Sequence, residues 1–184
     1  MATILFKNQF LLTRKLHKEY CKSMFYTRRK KLRITWAIIS LVLIAAGISL
    51  KVFLNFKVLP PILFFLGAVF AYSVFFGYKF SEWINYRKIC NENSAAPGLE
   101  AVIFIDFLPV QVTVKFGNAG YAFKYTSIVD TIETENLIIL ILQAPGMIEH
   151  AQLIFKGGFT DKSQDTLDRF LQMIDEKSGK ESKS

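Results

Sequence analysis

Two stretches without a charged residue limit what this chain can become: ITWAIISLVLIAAGISL, residues 34–50, and VLPPILFFLGAVFAYSVFFGY, residues 58–78. At about 1.5 Å per helical residue the first reaches roughly 25 Å, close to the ~30 Å hydrocarbon core of a bilayer, and the second is longer. Neither shows the polar stripe at a 3.6-residue period that a helical hairpin buried in a water-soluble protein requires. KVFLNFK between them is short enough for a tight turn, so the expectation is a transmembrane helical hairpin over residues 34–80. Pro60 and Pro61 fall in the first turn of the second helix, where missing N–H groups cost little. Gly47, Gly67 and Gly77, with Ala45, Ala46 and Ala68, offer places for close helix approach. The 33 residues ahead of the first stretch are too long for the basic region of a secretory signal, and no small-residue cleavage site follows.

Charge divides the chain in the same place. Residues 1–33 hold ten Lys/Arg against the single acid Glu19, a net of +9, whereas residues 34–184 hold 13 against 14 Asp/Glu, a net of −1. The +8 of the whole chain therefore belongs to one end, which argues against a diffusely basic nucleic-acid binder. Arg28, Arg29, Lys30, Lys31 and Arg33 precede the first apolar stretch, and Lys79, Arg87 and Lys88 follow the second, while the turn offers only Lys51 and Lys57. By the positive-inside rule both termini face the cytoplasm. Trp36 and Trp83, each near a helix end, have the placement of interfacial aromatics. The five clustered cations are candidate contacts for anionic lipid, with orientation of the hairpin as their alternative role.

Residues 1–33 read as a basic cytoplasmic segment. Leu12, Leu16 and Tyr20, spaced i, i+4, i+8 among cations, fit either an amphipathic helix on the membrane surface or a helix that runs on into the first span. TILF, residues 3–6, reads as a short strand that would add to the downstream sheet. Residues 81–98 form a juxtamembrane helix and linker, ending in Ala95–Gly98. From residue 99 the periodicity changes. EAVIFIDF is a nearly continuous apolar run, VQVTVKF and YAFKY alternate about a GNAG loop, IVDTIE is edge-like, LIILIL is apolar on both faces and QLIFK closes the sheet. Thr160 or Asp161 is placed to cap a last helix with Leu167, Phe170, Leu171 and Ile174 on one stripe. Residues 99–178 thus give an α+β domain of about six antiparallel strands that supplies its own core, a curved sheet closed by a C-terminal amphipathic helix. Residues 179–184 are a polar tail expected to be disordered.

The string VTVKFGNAGYAFKYTSIVDTIETENLIILIL, followed by LIFKGGFT and the amphipathic helix, resembles the C-terminal domain of the bacterial YcxB-like family. Phe123, Tyr125, Ile128, Glu133, Thr134 and Lys156 occupy the family's places, and the resemblance extends to the basic segment and the hairpin. It implies a pleckstrin-homology-like (PH-like) domain on a membrane hairpin in the bacterial inner membrane, multi-pass, with no catalytic residues carried over. Gly157 and Gly158 follow Lys156 here.

Residues able to do chemistry are sparse. His17 lies among cations and His150 in a loop region, neither with a second ligand at metal spacing, and both read as surface residues. Cys21 and Cys90 read as plain juxtamembrane thiols. GNAG and the Gly157–Gly158 pair lack the context of a phosphate loop, and Glu133 and Glu135 flank a turn as solvated acids. The expectation is no catalytic site, no metal and no cofactor. The function class is a membrane-anchored, non-catalytic cytoplasmic interaction module. Its partners are the lipid bilayer and a membrane-protein partner or a second copy, with no nucleic acid. The competing class is an accessory or immunity-type subunit of a membrane transport complex.

Overall fold

A computed structural model describes residues 3–54, 56–93, 101–117, 119–143 and 150–179, with backbone alone at residues 85, 88–93 and 101. It divides into two compact units, one made of residues 1–20 with 85–184 and the other of residues 21–84. The expected linker of residues 95–98, and all of the expected tail of residues 179–184 except Gly179, lie outside the described residues.

The β-rich unit starts at the other end of the chain from the one the sequence reading gave. Strand β1, Phe6–Leu12, pairs antiparallel with β2, Ala101–Phe107, over seven registers from Phe6↔Phe107 to Leu12↔Ala101. The strand foreseen at residues 3–6 is therefore longer and shifted, and the domain boundary drawn at residue 99 leaves out an integral strand. Phe6, Asn8, Phe10 and Leu12 turn inward at period two. Asn8 in that row hides the alternation, and its burial is sustained by Nδ2 donating to the Phe155 carbonyl at 2.8 Å. Leu12, assigned in sequence to a helical stripe, belongs to the strand. Thr13 then opens α1, Arg14–Thr27, with its hydroxyl accepting from the Leu16 N–H at 3.3 Å.

β2 continues the sheet through β3, Gln111–Phe116, and β4, Ala119–Lys124, in the order β1-β2-β3-β4. Phe116 pairs with Ala119, so Ala119 and Gly120 of the expected four-residue loop belong to β4, and Gly117 at φ 55° begins the reversal. A second sheet holds β5, Ile128–Glu133, β6, Leu137–Leu142, and β7, His150–Phe155, with β6 in the centre. Every residue of β6 is buried, as a run apolar on both faces requires. Among the described residues seven strands thus stand where about six were expected.

Helix α4, Gln164–Ser178, lays the foreseen stripe against this core: Phe170 and Ile174 are fully buried. The Phe170 ring meets Phe6, Phe107 and Phe159 at 5.5, 4.8 and 4.9 Å between centroids. The cap is Ser163 rather than Thr160 or Asp161. Its Oγ accepts from the Thr166 N–H, while the Asp161 carboxylate accepts from the Ser163 N–H at 3.0 Å and so holds the cap in place. Gly179, at φ 72°, ends the helix in the left-handed conformation.

The other unit holds the two helices that, among the described residues, are long and apolar enough to cross a membrane, α2 over Lys30–Phe53 and α3, whose apolar part is Leu59–Ile84 within Leu59–Asn93. Small residues set their contact, as the sequence suggested. A Cβ on Gly67 would lie 2.8 Å from Ile44 Cγ1, and one on Gly77 2.8 Å from the Trp36 ring. Beside Gly67, the buried Ser40 hydroxyl donates to the Gly67 carbonyl across the interface at 2.8 Å. Trp36 is accordingly half-buried between helices, whereas Trp83 is exposed.

Candidate functional site

The five cations singled out in the sequence separate into four and one. Arg28 and Arg29 form the turn that breaks α1 from α2, and Lys30 and Lys31 are the first residues of α2; all four are exposed. Arg29 sits at the N-cap position without a side-chain capping bond among the described residues, and the first turn of α2 contains no acid. A helix start presents unpaired N–H groups and a partial positive charge. Adding cations there raises the local potential, so the arrangement favours negative charge close by. Arg33 points elsewhere. Its Nε donates to the Val74 carbonyl at 3.1 Å, and the guanidinium lies 4.3 Å from the Tyr26 ring centre and 5.6 Å from that of Phe25. Tyr26 in turn donates its hydroxyl to the Phe75 carbonyl at 2.9 Å. Arg33 and Tyr26 thus lock α1 and α2 onto α3.

A second polar centre lies in the β-rich unit at the turn between β5 and β6. Glu19, the one acid of the first 33 residues, reaches it from α1. Oε1 accepts from the Thr134 hydroxyl at 2.6 Å and the Asn136 N–H at 2.9 Å, and Oε2 accepts from Asn136 Nδ2 at 2.9 Å. Burial alone would raise the Glu19 pKa, but the Thr134 and Asn136 bonds, with Lys15 nearby, outweigh it and hold the carboxyl below its usual range. The stability this contributes is present above the unfolded-state pKa and is lost as pH falls through the folded one. On its other flank the same turn is held by Lys156. Nζ pairs with Glu133 Oε1 at 2.6 Å, and the Lys156 N–H donates to the Asn136 carbonyl at 2.9 Å. Glu133, read in sequence as merely solvated, is half of this pair, and Glu135 is exposed.

The remaining residue positions of the family resemblance are architectural. Tyr125 and Ile128 are in the core, the Tyr125 hydroxyl donates to the Leu108 carbonyl at 2.8 Å, and Phe123 is half-buried.

Both histidines depart from the sequence reading in part. His17 is buried, its ring 5.9 Å from Tyr20 and 5.5 Å from Tyr86, so it is a packing residue rather than a surface one. His150 is exposed as foreseen but opens β7 rather than lying in a loop. Cys21 is buried in the unit of residues 21–84, and burial first, then the Glu82 carboxylate, against Arg29, pushes its thiol up to about 12. A thiol kept protonated and covered is a poor nucleophile. Cys21 is therefore expected to resist maleimide at pH 7 in mild detergent and to react once the chain is denatured; stoichiometric native labelling by mass spectrometry would contradict this. No group of three or more metal-ligating side chains converges among the described residues. An open cleft of about 320 Å³ is lined by Ile4, Leu5, Phe6, Phe159, Thr160 and Asp161 among others, and Asp161 is already engaged in holding the α4 cap.

No family model, curated protein or solved structure matches this chain. The role of Glu19 escaped the sequence reading, although an isolated acid among ten cations is a signal that it answers to something specific.

Proposed function

We propose that this protein is a membrane-anchored, non-catalytic interaction module, whose apolar hairpin spans a bacterial cytoplasmic membrane with both termini inside. A PH-like domain, built from the seven strands and α4, is carried at the inner face, and Arg28, Arg29, Lys30 and Lys31 hold anionic lipid there. The observation that carries the reading is the exposure of those four cations at the uncapped start of an apolar helix of 24 residues. Each cation near an anionic surface is worth about 1 kcal/mol. Pairing of β1 with β2 supports the topology, because two strands joined through two membrane crossings meet only if both lie on one side. Cation excess on both flanks of the hairpin supports the cytoplasm as that side.

The test uses the full chain in Cys21→Ser, Cys90→Ser background. A cysteine placed at Phe56 is expected to be labelled from outside intact cells and one placed at Ser178 to be spared. Replacing Arg28, Arg29, Lys30 and Lys31 by Gln, with Arg33 kept, is expected to cut co-purifying phosphatidylglycerol several-fold without altering that labelling. Unchanged lipid in the variant would reduce the four cations to orientation signals.

A further inference from the structure

We propose that the β5–β6 turn is a built receptor for a carboxylate, and that Glu19 fills it in cis as a latch joining α1 to the β-rich unit. The turn shapes its own donors. The Thr134 N–H donates to the Leu137 carbonyl at 2.8 Å, and the Thr134 hydroxyl accepts from the Leu137 N–H at 3.0 Å. With its oxygen occupied in that way, the single hydroxyl proton is directed to Glu19 at 2.6 Å in preference to the Leu137 carbonyl at 3.1 Å. Asn136 supplies two further donors, from backbone and side chain, one to each carboxylate oxygen. Its carbonyl meanwhile accepts from the Lys156 N–H, so the residue bridges α1 to the turn that follows β7.

Three neutral donors converge on one carboxylate, and Glu133 already engages the nearby Lys156 ammonium. Such a set recognises the shape and acceptor capacity of a carboxylate rather than negative charge in general. A carboxamide has the same outline but turns an NH₂ toward donors, so Gln in place of Glu19 leaves one side of the receptor facing a like group. Glu19, Thr134 and Asn136 are all half-buried, which leaves the site within reach of small anions. The latch concerns residues 14–20 of α1, the part of that helix assigned to the β-rich unit.

The experiment is amide hydrogen exchange on the full chain in mild detergent, read over residues 15–20. Glu19→Gln and Glu19→Ala are each expected to exchange about tenfold faster there than the parent, with β6 unchanged. Added formate is expected to slow exchange in Glu19→Ala saturably, and chloride at equal concentration to leave it unaltered. Exchange in Glu19→Gln within twofold of the parent overturns the latch. Loosening of Glu19→Ala that formate does not reverse, or that chloride reverses equally, overturns the receptor. Should Glu19→Ala fail to fold, Asn136→Ala, which keeps Glu19 and removes the side-chain donor, is expected to speed exchange over residues 15–20, and parent-like exchange there overturns the receptor. None of these readouts involves lipid, so their outcome is independent of the basic edge.

Discussion

Residues 97–178 expressed alone are expected to show no cooperative unfolding transition, although they contain six of the seven strands and the closing helix. What they lack is β1. Phe10 and Leu12 from that strand are buried, and losing a large buried side chain costs about 2–5 kcal/mol each. Their joint removal is comparable to the roughly 5–15 kcal/mol that holds a typical domain together. The truncation also strips β2 of its partner along seven registers, leaving an open hydrophobic edge beside Ile103, Ile105 and Phe107. Leu12 and Ala101 are direct register partners, which offers a sharp complement. Joining residues 3–12 to 101–179 through Asn-Gly, a two-residue turn suited to antiparallel strands, should restore a cooperative melt by circular dichroism. A sigmoidal transition in the bare 97–178 chain, with a midpoint equal to that of the joined chain, would show that β1 is dispensable.

Phe170→Ala is expected to destabilise the β-rich unit by about 3–5 kcal/mol. Its ring is fully buried and meets three others: Phe6 from β1, Phe107 from β2 and Phe159 from the segment ahead of α4. Edge-on and tilted packing of this kind adds to the area term, and the alanine leaves a void that three large side chains cannot close without moving strands. Denaturant melts of the full chain in mild detergent, followed by far-UV circular dichroism, measure the loss. A change under about 1 kcal/mol would place the stability of α4 in other contacts.

The elements legible in the sequence were those whose pattern is complete within one continuous stretch of chain. Uncharged runs betrayed α2 and α3, strict alternation betrayed β3, two-faced apolarity betrayed β6, and the Leu167–Ile174 stripe betrayed α4. Elements defined by a distant partner were not legible. β1 is inward-facing at Asn8, whose burial is compensated by a carbonyl 147 positions away, so the row Phe6, Asn8, Phe10, Leu12 did not read as a buried face. Arg33 could not be separated from its four neighbours because its acceptor is a backbone oxygen on α3, which leaves no trace in side-chain composition. His17 and Glu19 share that difficulty: Tyr86 covers one and Thr134 and Asn136 hold the other. At the start of α4 two cap-forming residues, Thr160 and Asp161, competed in the sequence with Ser163, and the bond from the Thr166 N–H to the Ser163 hydroxyl, with Asp161 holding the Ser163 N–H, decides among them.

The separation of β1 from β2 has a consequence for how the chain is made. Residues 13–100 lie between the two strands, and they include both long apolar helices. At about 5–20 residues per second, a ribosome delivers β2 roughly 4–18 s after β1 has emerged. For that interval FLL, the apolar end of β1, is an unpaired sticky strand with nothing to pair with. Arg14, Lys15 and Lys18 follow it directly, and charges flanking a hydrophobic strand act as gatekeepers against aggregation. Charge repulsion between copies at Arg14, Lys15 and Lys18 therefore opposes strand-to-strand association of FLL for as long as β2 is absent.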